Sequence, residues 1–383
     1  MIQSDNWFET IRTAAELGFL QHAASSADRS TGLAAAEQQH REIILRSVAL
    51  VEEVLDGKRQ QRNMSYLPGL CGFFRGPSVR FAGKDLRYLE RVAARLWTAH
   101  GTGRADVEEA LLGYISLAAD PGSLPFYRAA VAASRLRDQF QPKRRRMVLA
   151  AIAYLAQDKS CPEAAAELQR YLDHADPAVR GDAVECFARI HLSSKGRLAA
   201  AAVRTLSRIA IEDPAFIPRF MARIWLTRTG HKVPLDHPDG AYDFRVTLGR
   251  ASYTIELAAT QSLARLACAI LSAFGWDGDH LYEFALTGDL RDRRFVLPTA
   301  DEEYLPPDLS GAAEPSVTSS VDLPVGSLGL TQEHRFVCRY DFGADHRFDV
   351  LVAMIHPRKE PRAKYPRVVA GTGKPPEQYP RWE

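Results

Sequence analysis

The stretch RYDFGADHRFDV, at 339–350, brings together side chains that could do chemistry. Carboxylates and imidazole are the groups that hold Mg²⁺, Mn²⁺ or Zn²⁺, and histidine is the usual general base near neutral pH. A histidine in an earlier acidic turn could meet this stretch at one edge of a sheet. A metal-dependent hydrolase would draw its catalytic residues from Asp341, Asp345, His346 and His280.

The same stretch also fits a turn between two strands. Acids beside glycine are the usual residues of turns, and Asp277-Gly278 is itself a strong turn signal. Upstream of Asp-Phe-Gly the chain lacks the Gly-rich loop, the strand lysine and the His-Arg-Asp loop that a kinase needs. None of the spacings matches a dedicated metal-ligand motif. We therefore interpret the stretch chiefly as a turn and expect no bound metal and no cofactor.

The composition is that of an ordinary globular protein. The 383 residues are enough for two or three domains, with 46% apolar and 25% charged residues and a formal net charge of +2. The five cysteines are odd in number and form no Cys-x-x-Cys pair, which argues for a reducing compartment. Neither a signal peptide nor an apolar run of about 18 residues is recognisable. We expect a cytoplasmic protein without a membrane span.

Helices are expected up to about residue 230, because apolar residues recur there at three- and four-residue spacing. The first of them are predicted over 1–24, 34–56, 85–100 and 106–118. The stretch 63–83, which is rich in glycine and contains two prolines, predicts an irregular connection.

Asp-Pro pairs at 120–121, 176–177 and 213–214 then mark a repeat, since each can supply an N-cap aspartate followed by proline at the first helical position. The helices predicted around these pairs are 122–136, 142–157, 162–173, 177–192, 197–211 and 214–229. They pair into three units of about 35–37 residues, a length typical of helical-hairpin solenoids. The segment AELQRYLDHADPAVRGDAVECFARI resembles a HEAT repeat. A plain helical bundle is the alternative.

After Gly230 the pattern changes to the alternation that is typical of strands. Strands are predicted for YDFRVTL, ASYTIEL, LYEFALTG, RFVCRYDF and HRFDVLVAMI. One apolar helix is expected over Ser262–Phe274, ending at Gly275. The stretch 287–333, rich in Pro, Ser, Asp and Gly, predicts a flexible insertion. These elements indicate an α+β domain with a mostly antiparallel sheet.

The fold class expected for the chain is therefore multidomain, α and α+β, with an N-terminal HEAT-like α-solenoid followed by an α+β domain. The expected parts are an N-terminal helical region at 1–84, HEAT-like helical repeats at 85–230, a linker at 231–241 and the α+β domain at 242–383.

Four pieces of the C-terminal domain carry, in this order, a resemblance to a known family. They are YDFRVTL, LARLACAILSAFGWDGDHLYEF, CRYDFGADHRFDV and YPRVVAGTGKPPE. Together they resemble the plasmid pRiA4b ORF-3-like family, whose members are often labelled transposon passenger or resolvase-like proteins. The residues of this fold signature are Trp276, His280, Tyr340, Asp341, Phe342 and Gly343. The resemblance implies a sheet packed on helices and brings no established activity.

This sequence departs from the family at several of these places. The family's Tyr-Asp-Phe-Gly is followed by acid-acid-Trp-acid-His, whereas Ala344–Phe348 lacks that tryptophan and the final histidine. ASYTIEL stands where a Pro-Trp-Arg segment is expected. The resolvase label would require a nucleophilic serine held among arginines, and the serine-rich part of this domain is a low-complexity stretch.

Basic residues are unevenly distributed, although the net charge is small. Between Cys186 and Leu235 there are nine basic residues and two acids, and 277–308 is acidic. A solenoid presents an extended surface, and arginines on it can neutralise an acidic partner or a phosphate backbone. The predicted binding residues are Arg144, Arg145, Arg146, Arg189, Arg197, Arg204, Arg208, Arg219 and Arg223.

Three functions remain open. The leading hypothesis is a non-enzymatic interaction or scaffold protein that binds an acidic partner through the basic helical-repeat face. The family context suggests an accessory of a mobile-element, CRISPR or phage-defence nucleoprotein complex. The second hypothesis is direct DNA or RNA binding, and the third is the metal-dependent hydrolase. The arginines could instead form a solvated outer face or contact the acidic 277–308 stretch.

Overall fold

The computed structural model describes residues 29–58, 79–99, 104–133, 141–157, 161–193, 196–298 and 320–379. The chain divides between Ser194 and Lys195 into two compact units. The first unit is helical, and the second combines helices with one antiparallel sheet. The expected fold class is confirmed. The helix expected over 1–24 lies outside the described residues, as does most of the 63–83 connection.

The first unit contains seven α-helices within its described residues. They are α1 Arg29–Leu55, α2 Gly83–Leu96, α3 Arg104–Ala118, α4 Leu124–Ala132, α5 Gln141–Leu155, α6 Pro162–Leu172 and α7 Pro177–His191. Helix α5 packs against α3, α4, α6 and α7, so it organises the interior of the unit. The predicted helices are present with ends shifted by a few residues. Their grouping into HEAT-like repeats is suggested by the helices alone.

Two of the three Asp-Pro pairs cap a helical turn as their sequence predicts. Asp176 accepts a hydrogen bond from the backbone N–H of Ala178 at 2.8 Å, at the start of α7. Asp120 does the same for Gly122 at 2.9 Å, in a short 3₁₀ turn before α4. Asp213 accepts a hydrogen bond from the backbone N–H of Ala215 at 2.9 Å, but the following helix begins only at Phe216 with Ala215 as its N-cap, so Asp213-Pro214 does not form the predicted cap. Each cap satisfies a backbone donor that has no partner within its helix and stabilises the fold by about 1 kcal/mol.

Two arginines of α5 are buried in the first unit and joined to acids. Arg144 and Glu108 of α3 are both 0% exposed and form an ion pair. Arg144 also donates to the carbonyl oxygen of Ala133 at 2.9 Å. Arg145 donates to the carboxylate of Asp182 in α7 at 2.5 Å. A buried charge that loses its partner is strongly destabilising, so these pairs fix α5 against α3 and α7.

Replacing Arg144 by methionine should destabilise the protein by about 3–5 kcal/mol, because the buried Glu108 carboxylate loses the guanidinium that neutralises it. The double variant Arg144→Met/Glu108→Leu removes both charges and should recover most of the loss. Urea unfolding followed by circular dichroism measures the free energy of unfolding of each. If the double variant were as unstable as the single one, the ion pair would not be the source of the effect.

The second unit contains three α-helices and seven strands within 196–298 and 320–379. They are α8 Arg197–Glu212, α9 Phe216–Arg228, β1 Ala241–Leu248, β2 Ala251–Ala258, α10 Leu263–Phe274, β3 Tyr282–Ala285, β4 Val296–Pro298, β5 Arg335–Tyr340, β6 His346–His356 and β7 Arg367–Thr372. The strand order is β4-β3-β5-β6-β1-β2-β7, and all neighbouring strands are antiparallel.

One face of the sheet forms the core of this unit. On β1, Tyr242, Phe244 and Val246 alternate inward and are completely buried. Helix α10 packs on β2 and β7 and ends where predicted, with Gly275 in the left-handed region at φ 69°. None of the helices in the described part of the chain is long and apolar enough to cross a membrane.

The structure adds two strands to the five that were predicted. Strand β4 lies inside the expected insertion at 287–333, and its three residues are too few to show alternation. Strand β7 lies in the Pro- and Arg-rich C-terminal segment, at the edge of the sheet. All of its residues except the first are exposed, so it lacks the apolar-polar alternation that identifies a half-buried strand. Residues 299–319 of the insertion lie outside the described residues.

Helices α8 and α9 belong to the second unit because two buried arginines join α9 to the turn at 325–330. Arg223 donates to the carbonyl oxygen of Gly326 at 3.3 Å. Arg219 donates to the carbonyl oxygen of Gly329 at 2.8 Å. The sequence pattern predicts that both helices belong to the HEAT-like repeats and that the α+β domain begins at 242. By their contacts, α8 and α9 lie in the same compact unit as the sheet.

His334 is half-buried in the second unit beside the sheet. Its Nε2 atom lies 2.8 Å from the carbonyl oxygen of Leu286, and its ring centroid is 4.1 Å from that of Phe216. Burial lowers the pKa of His334, and the nearby Arg219 lowers it further, although the hydrogen bond with Leu286 acts in the opposite direction. The imidazole is therefore held in its neutral form.

Acid should destabilise the second unit through this histidine. Its folded-state pKa lies below the unfolded value of about 6.5, so the unfolded chain takes up the proton first as the pH falls, and stability is lost below about pH 6.5. His334→Asn cannot titrate, so its melting temperature should fall less than that of the wild type between about pH 7.5 and about pH 5.5. His237→Asn, at an exposed position, should follow the wild type. Equal pH dependence of the wild type and His334→Asn would contradict this role.

Candidate functional site

The residues of the predicted fold signature converge at one end of the sheet and hold the segment 376–379. The hydroxyl of Tyr340 lies 2.6 Å from the carbonyl oxygen of Asp277 and 2.9 Å from the carboxylate of Asp279, and these two acceptors share its one proton. The indole N–H of Trp276 donates to the carbonyl oxygen of Pro376 at 3.0 Å. We call this set the signature cluster: Trp276, Asp279, His280, Tyr340, Asp341 and 376–379.

Asp341 closes the turn between β5 and β6. Its backbone has φ 52°, in the left-handed region that aspartate tolerates better than most residues. Oδ1 accepts hydrogen bonds from the backbone N–H groups of Gly343 at 3.0 Å and Ala344 at 3.2 Å. Oδ2 lies 3.7 Å from Nε2 of His280, which is beyond hydrogen-bonding distance. The main role of the Asp341 carboxylate is therefore to stabilise the turn. His280 is close to it but forms no hydrogen bond with it.

The hydroxyl of Tyr340 stays protonated and remains a donor across the physiological pH range. Burial, together with the hydrogen bond to Asp279, raises the pKa of Tyr340 to about 12. The same hydrogen bond lowers the pKa of Asp279, so the partner remains an anion. Such a charge-assisted bond is stronger than one between neutral groups. It joins the acidic turn after α10 to the end of β5.

The four predicted catalytic residues do not form one site. Asp341 and His280 are neighbours, but Asp345 is paired with Arg347 at 2.7 Å and with Arg339 at 2.5 Å. These two arginines hold the pKa of Asp345 below its usual range. Nε2 of His346 lies 3.1 Å from the carbonyl oxygen of Gln378. In the described part of the chain these four residues are not a group whose ligand atoms lie close enough together to hold one ion.

The predicted binding arginines fall into two groups. Four of them, Arg144, Arg145, Arg219 and Arg223, are buried, so their predicted place on a basic surface is corrected. Arg144 and Arg145 pair with acids of the first unit, and Arg219 and Arg223 donate to carbonyl groups of the second. Arg146 is partly exposed, while Arg189, Arg197, Arg204 and Arg208 are exposed.

Three of the exposed arginines form a stripe along α8. Arg197, Arg204 and Arg208 are separated by seven and then four residues, a spacing that places them on one side of a helix. None of the three makes an ion pair with a residue that the structure describes. The buried positions of α8 are Ala202, Leu206, Ile209 and Ala210, which pack toward α9. The stripe is therefore the outer face of this helix, and we call it the α8 arginine stripe.

A second polar cluster was not anticipated from the sequence. His356, Asp243, Glu256 and Arg367 lie side by side on four neighbouring strands, and we call them the charged row. Each of them comes from a different part of the chain, so no local motif marks them. Asp243 and Glu256 occupy polar positions of alternating strands, which normally indicate solvent-facing residues. Only the pairing of the strands reveals that the four residues meet.

The second unit contains an α+β domain. The signature cluster joins, at one end of its sheet, the sequence pieces that carry the family resemblance. Residues 241–379 match the sequence model of a family described as plasmid pRiA4b ORF-3-like protein. The expected resemblance of the C-terminal domain is confirmed, and the match covers all seven strands of the sheet. The described helices α1–α9 lie outside it.

A solved structure is similar to part of this chain. It is a protein of unknown function from Methanosarcina mazei Go1, with 20% sequence identity and a TM-score of 0.28, and the similarity covers 36% of this chain and 71% of that one. No curated protein matches the sequence.

Removal of the Tyr340 hydroxyl should loosen the signature cluster. Tyr340→Phe leaves the buried end of the cluster without its donor to Asp277 and Asp279, which should cost about 1–3 kcal/mol of unfolding free energy. Amide hydrogen exchange at 376–379 should also become faster. Tyr154→Phe is the matched control, because that side chain is 55% exposed and lies outside the cluster. Equal effects of the two substitutions would show that the buried hydroxyl has no special role.

Proposed function

We propose that this protein is a non-enzymatic interaction protein that binds an acidic partner through the α8 arginine stripe. The observation that supports this most directly is the set of three exposed arginines on one helix face, which have no ion-pair partner among the described residues. Arginines that only stabilise a fold are usually engaged with acids or carbonyl groups, as the buried ones in this protein are. The stripe instead presents its charge outward.

The surroundings of the stripe also suit a protein partner. Leu198 is 40% exposed and Ile211 is 63% exposed, and both lie on α8. An interface commonly combines such apolar contacts with arginines, which are enriched there relative to lysine. The three arginines extend over about 16 Å along the helix, so a partner would need several acids along one helix face or strand.

The partner we favour is a protein or nucleoprotein complex in the cytoplasm. The plasmid association of the matched family motivates the choice of mobile-element, CRISPR or phage-defence machinery as the setting. The four cysteines among the described residues are free thiols, in keeping with a reducing compartment. The second unit would then contribute both the stripe and a sheet domain as docking surfaces.

Direct binding of DNA or RNA is the second candidate, because the same stripe fits a phosphate backbone. The guanidinium fork matches phosphate oxygens, and the arginines would neutralise several phosphates along one strand. The two candidates differ in what they require. A nucleic acid needs only the spacing of charge, whereas a protein partner also uses the apolar residues beside the stripe.

Charge reversal separates these candidates. The double variant Arg204→Glu/Arg208→Glu should lose at least about tenfold in affinity for an acidic ligand, because two attractions become repulsions. Fluorescence anisotropy measures these affinities at low and at moderate salt. The labelled ligands are single-stranded DNA, duplex DNA, RNA and a poly-glutamate peptide. Arg265→Glu, an exposed arginine on α10, is the matched control and should bind like the wild type.

Each result favours one candidate or removes it. Binding of the acidic peptide without nucleic acid supports the interaction protein, and a second variant, Ile211→Ser, should then weaken that binding. Nucleic-acid binding with a steep salt dependence supports the second candidate. If the wild type binds none of these probes at low salt, or if Arg265→Glu is as defective as the double variant, the stripe is not a binding surface.

A further inference from the structure

The charged row contains three potential metal ligands that lie close together. The ligand atoms of Asp243, Glu256 and His356 all lie within 4.8 Å of one another. Nε2 of His356 is 3.1 Å from Oδ2 of Asp243. Two ligands of one Zn²⁺ or Mn²⁺ ion, each about 2.1 Å from the metal, are typically about 3–3.5 Å apart. Among the described residues this is the group of His, Cys, Asp and Glu side chains whose ligand atoms all lie within 4.8 Å of one another, and its His356–Asp243 pair is at the spacing of two ligands of one ion.

The strand pairing fixes this geometry. Asp243 on β1 lies directly opposite Glu256 on β2, so both side chains project from the same face of the sheet. On the other side of β1, Ala241 is opposite His356 of β6, which places the imidazole diagonally beside Asp243. The three ligands therefore come from three adjacent strands, which are more rigid than loops as supports for a site.

One oxygen atom of the site has no partner. Oδ1 of Asp243 is buried and accepts no hydrogen bond from any described residue. A buried acceptor without a donor is costly, and few are found in native proteins unless an ion or a water molecule satisfies them. His356 occupies the other oxygen of the same carboxylate. The unpartnered oxygen thus indicates that something besides these side chains belongs in the cluster.

The local charge is complementary to a divalent cation. Glu256 is 5% exposed and is paired with Arg367, which is also paired with Glu360. Within the row, the carboxylates of Asp243 and Glu256 stand against one guanidinium, which is an excess of one negative charge, and the Glu360 carboxylate that also pairs with Arg367 adds a second negative charge beside the row. Arg367 also orients Glu256, since it engages one oxygen and leaves the other directed toward Tyr365, whose hydroxyl lies at 3.4 Å. Such orienting contacts accompany the ligands of most metal sites.

We propose that Asp243, Glu256 and His356 form a binding site for a divalent transition-metal ion of the Zn²⁺ or Mn²⁺ type. The imidazole ligand favours these ions over Mg²⁺ and Ca²⁺, which prefer oxygen ligands. Three protein ligands leave at least one coordination position for water. His356 is 41% exposed, so this position is reached from solvent. The site is independent of the α8 arginine stripe and of its proposed partner.

Metal binding to the full-length protein tests the proposal. After treatment with EDTA and removal of the chelator, isothermal titration with Zn²⁺ and with Mn²⁺ should show one ion bound per chain for at least one of the two. Elemental analysis after gel filtration gives the stoichiometry independently. The melting temperature should rise on addition of that ion, because a ligand that binds only the folded state stabilises it.

Substitutions locate the ion. Asp243→Asn keeps the shape of the side chain and removes its charge, and His356→Ala removes the nitrogen ligand. Each should weaken binding by at least about tenfold and abolish the rise in melting temperature. His280→Ala is the matched control, because its side chain is 42% exposed, nearly the same as that of His356, and also lies beside carboxylates. It should bind the ion like the wild type.

The proposal is overturned by either of two results. One is that neither ion binds the metal-free wild type up to about 1 mM, which would leave the charged row as a set of ion pairs. The other is that Asp243→Asn and His356→Ala bind as tightly as the wild type while circular dichroism shows them folded. If His356→Ala is unfolded, Asp243→Asn decides, since it removes a charge without creating a cavity.

Discussion

The packing of helices α8 and α9 against the rest of the second unit depends on the buried side chain of Arg223 in α9. It is only 2% exposed, and its donors reach the carbonyl oxygens of Ala210 at 2.9 Å and Pro234 at 3.3 Å and the carboxylate of Asp236 at 2.9 Å. A buried guanidinium is stable only when its donors are satisfied in this way. Through these bonds one side chain connects α8, the chain that leads to β1, and the turn at 325–330. Helix α8 is therefore held at a fixed place on its unit, and its arginines face outward from a rigid base.

The same physical rule separates the arginines that build this protein from those that are available to a partner. The N–H donors of a buried arginine must form hydrogen bonds with acids or carbonyl groups. This is the case for Arg144, Arg145, Arg219 and Arg223. Those on the α8 arginine stripe make no such contacts with described residues. Charge counted along the sequence merges both groups into one basic region, because the count contains no information on burial.

Much of the fold could be predicted from the sequence, because helices, turns and strands depend on patterns of residues that are close together in the chain. The Asp-Pro pair at 176–177 marks a helix start, and the alternation in YDFRVTL marks a strand, because both depend on residues close together in the chain. The place of α8 and α9 could not be predicted in the same way. Their attachment to the sheet unit depends on Arg219 and Arg223 reaching Gly329 and Gly326, over a hundred residues further on. A helical pattern looks the same in either unit.

The candidate sites show the same division. The Tyr-Asp-Phe-Gly stretch was correctly interpreted as a turn, because the acid-glycine chemistry of turns is local, and Asp341 does close it. Its relation to Trp276 and Gln378 needed the folded chain. The charged row was missed entirely, since its members are single polar residues on strands that pair only after folding. The family resemblance points to the residues that join its sequence pieces in the folded domain. In this protein those residues form the signature cluster, and the charged row is not among them.

The order of the strands also has a consequence for how the chain is made. Strand β1 lies between β2, its neighbour in the chain, and β6, which begins roughly 100 residues after β1 ends. At a synthesis rate of about 5–20 residues per second, the β1–β2 hairpin waits about 5–20 seconds for β6 to leave the ribosome. During that interval Tyr242, Phe244 and Val246 lie on a strand with an open edge. The newly made protein is thus vulnerable to aggregation until β1 is paired on both sides, and a chaperone-rich host favours its recovery in folded form.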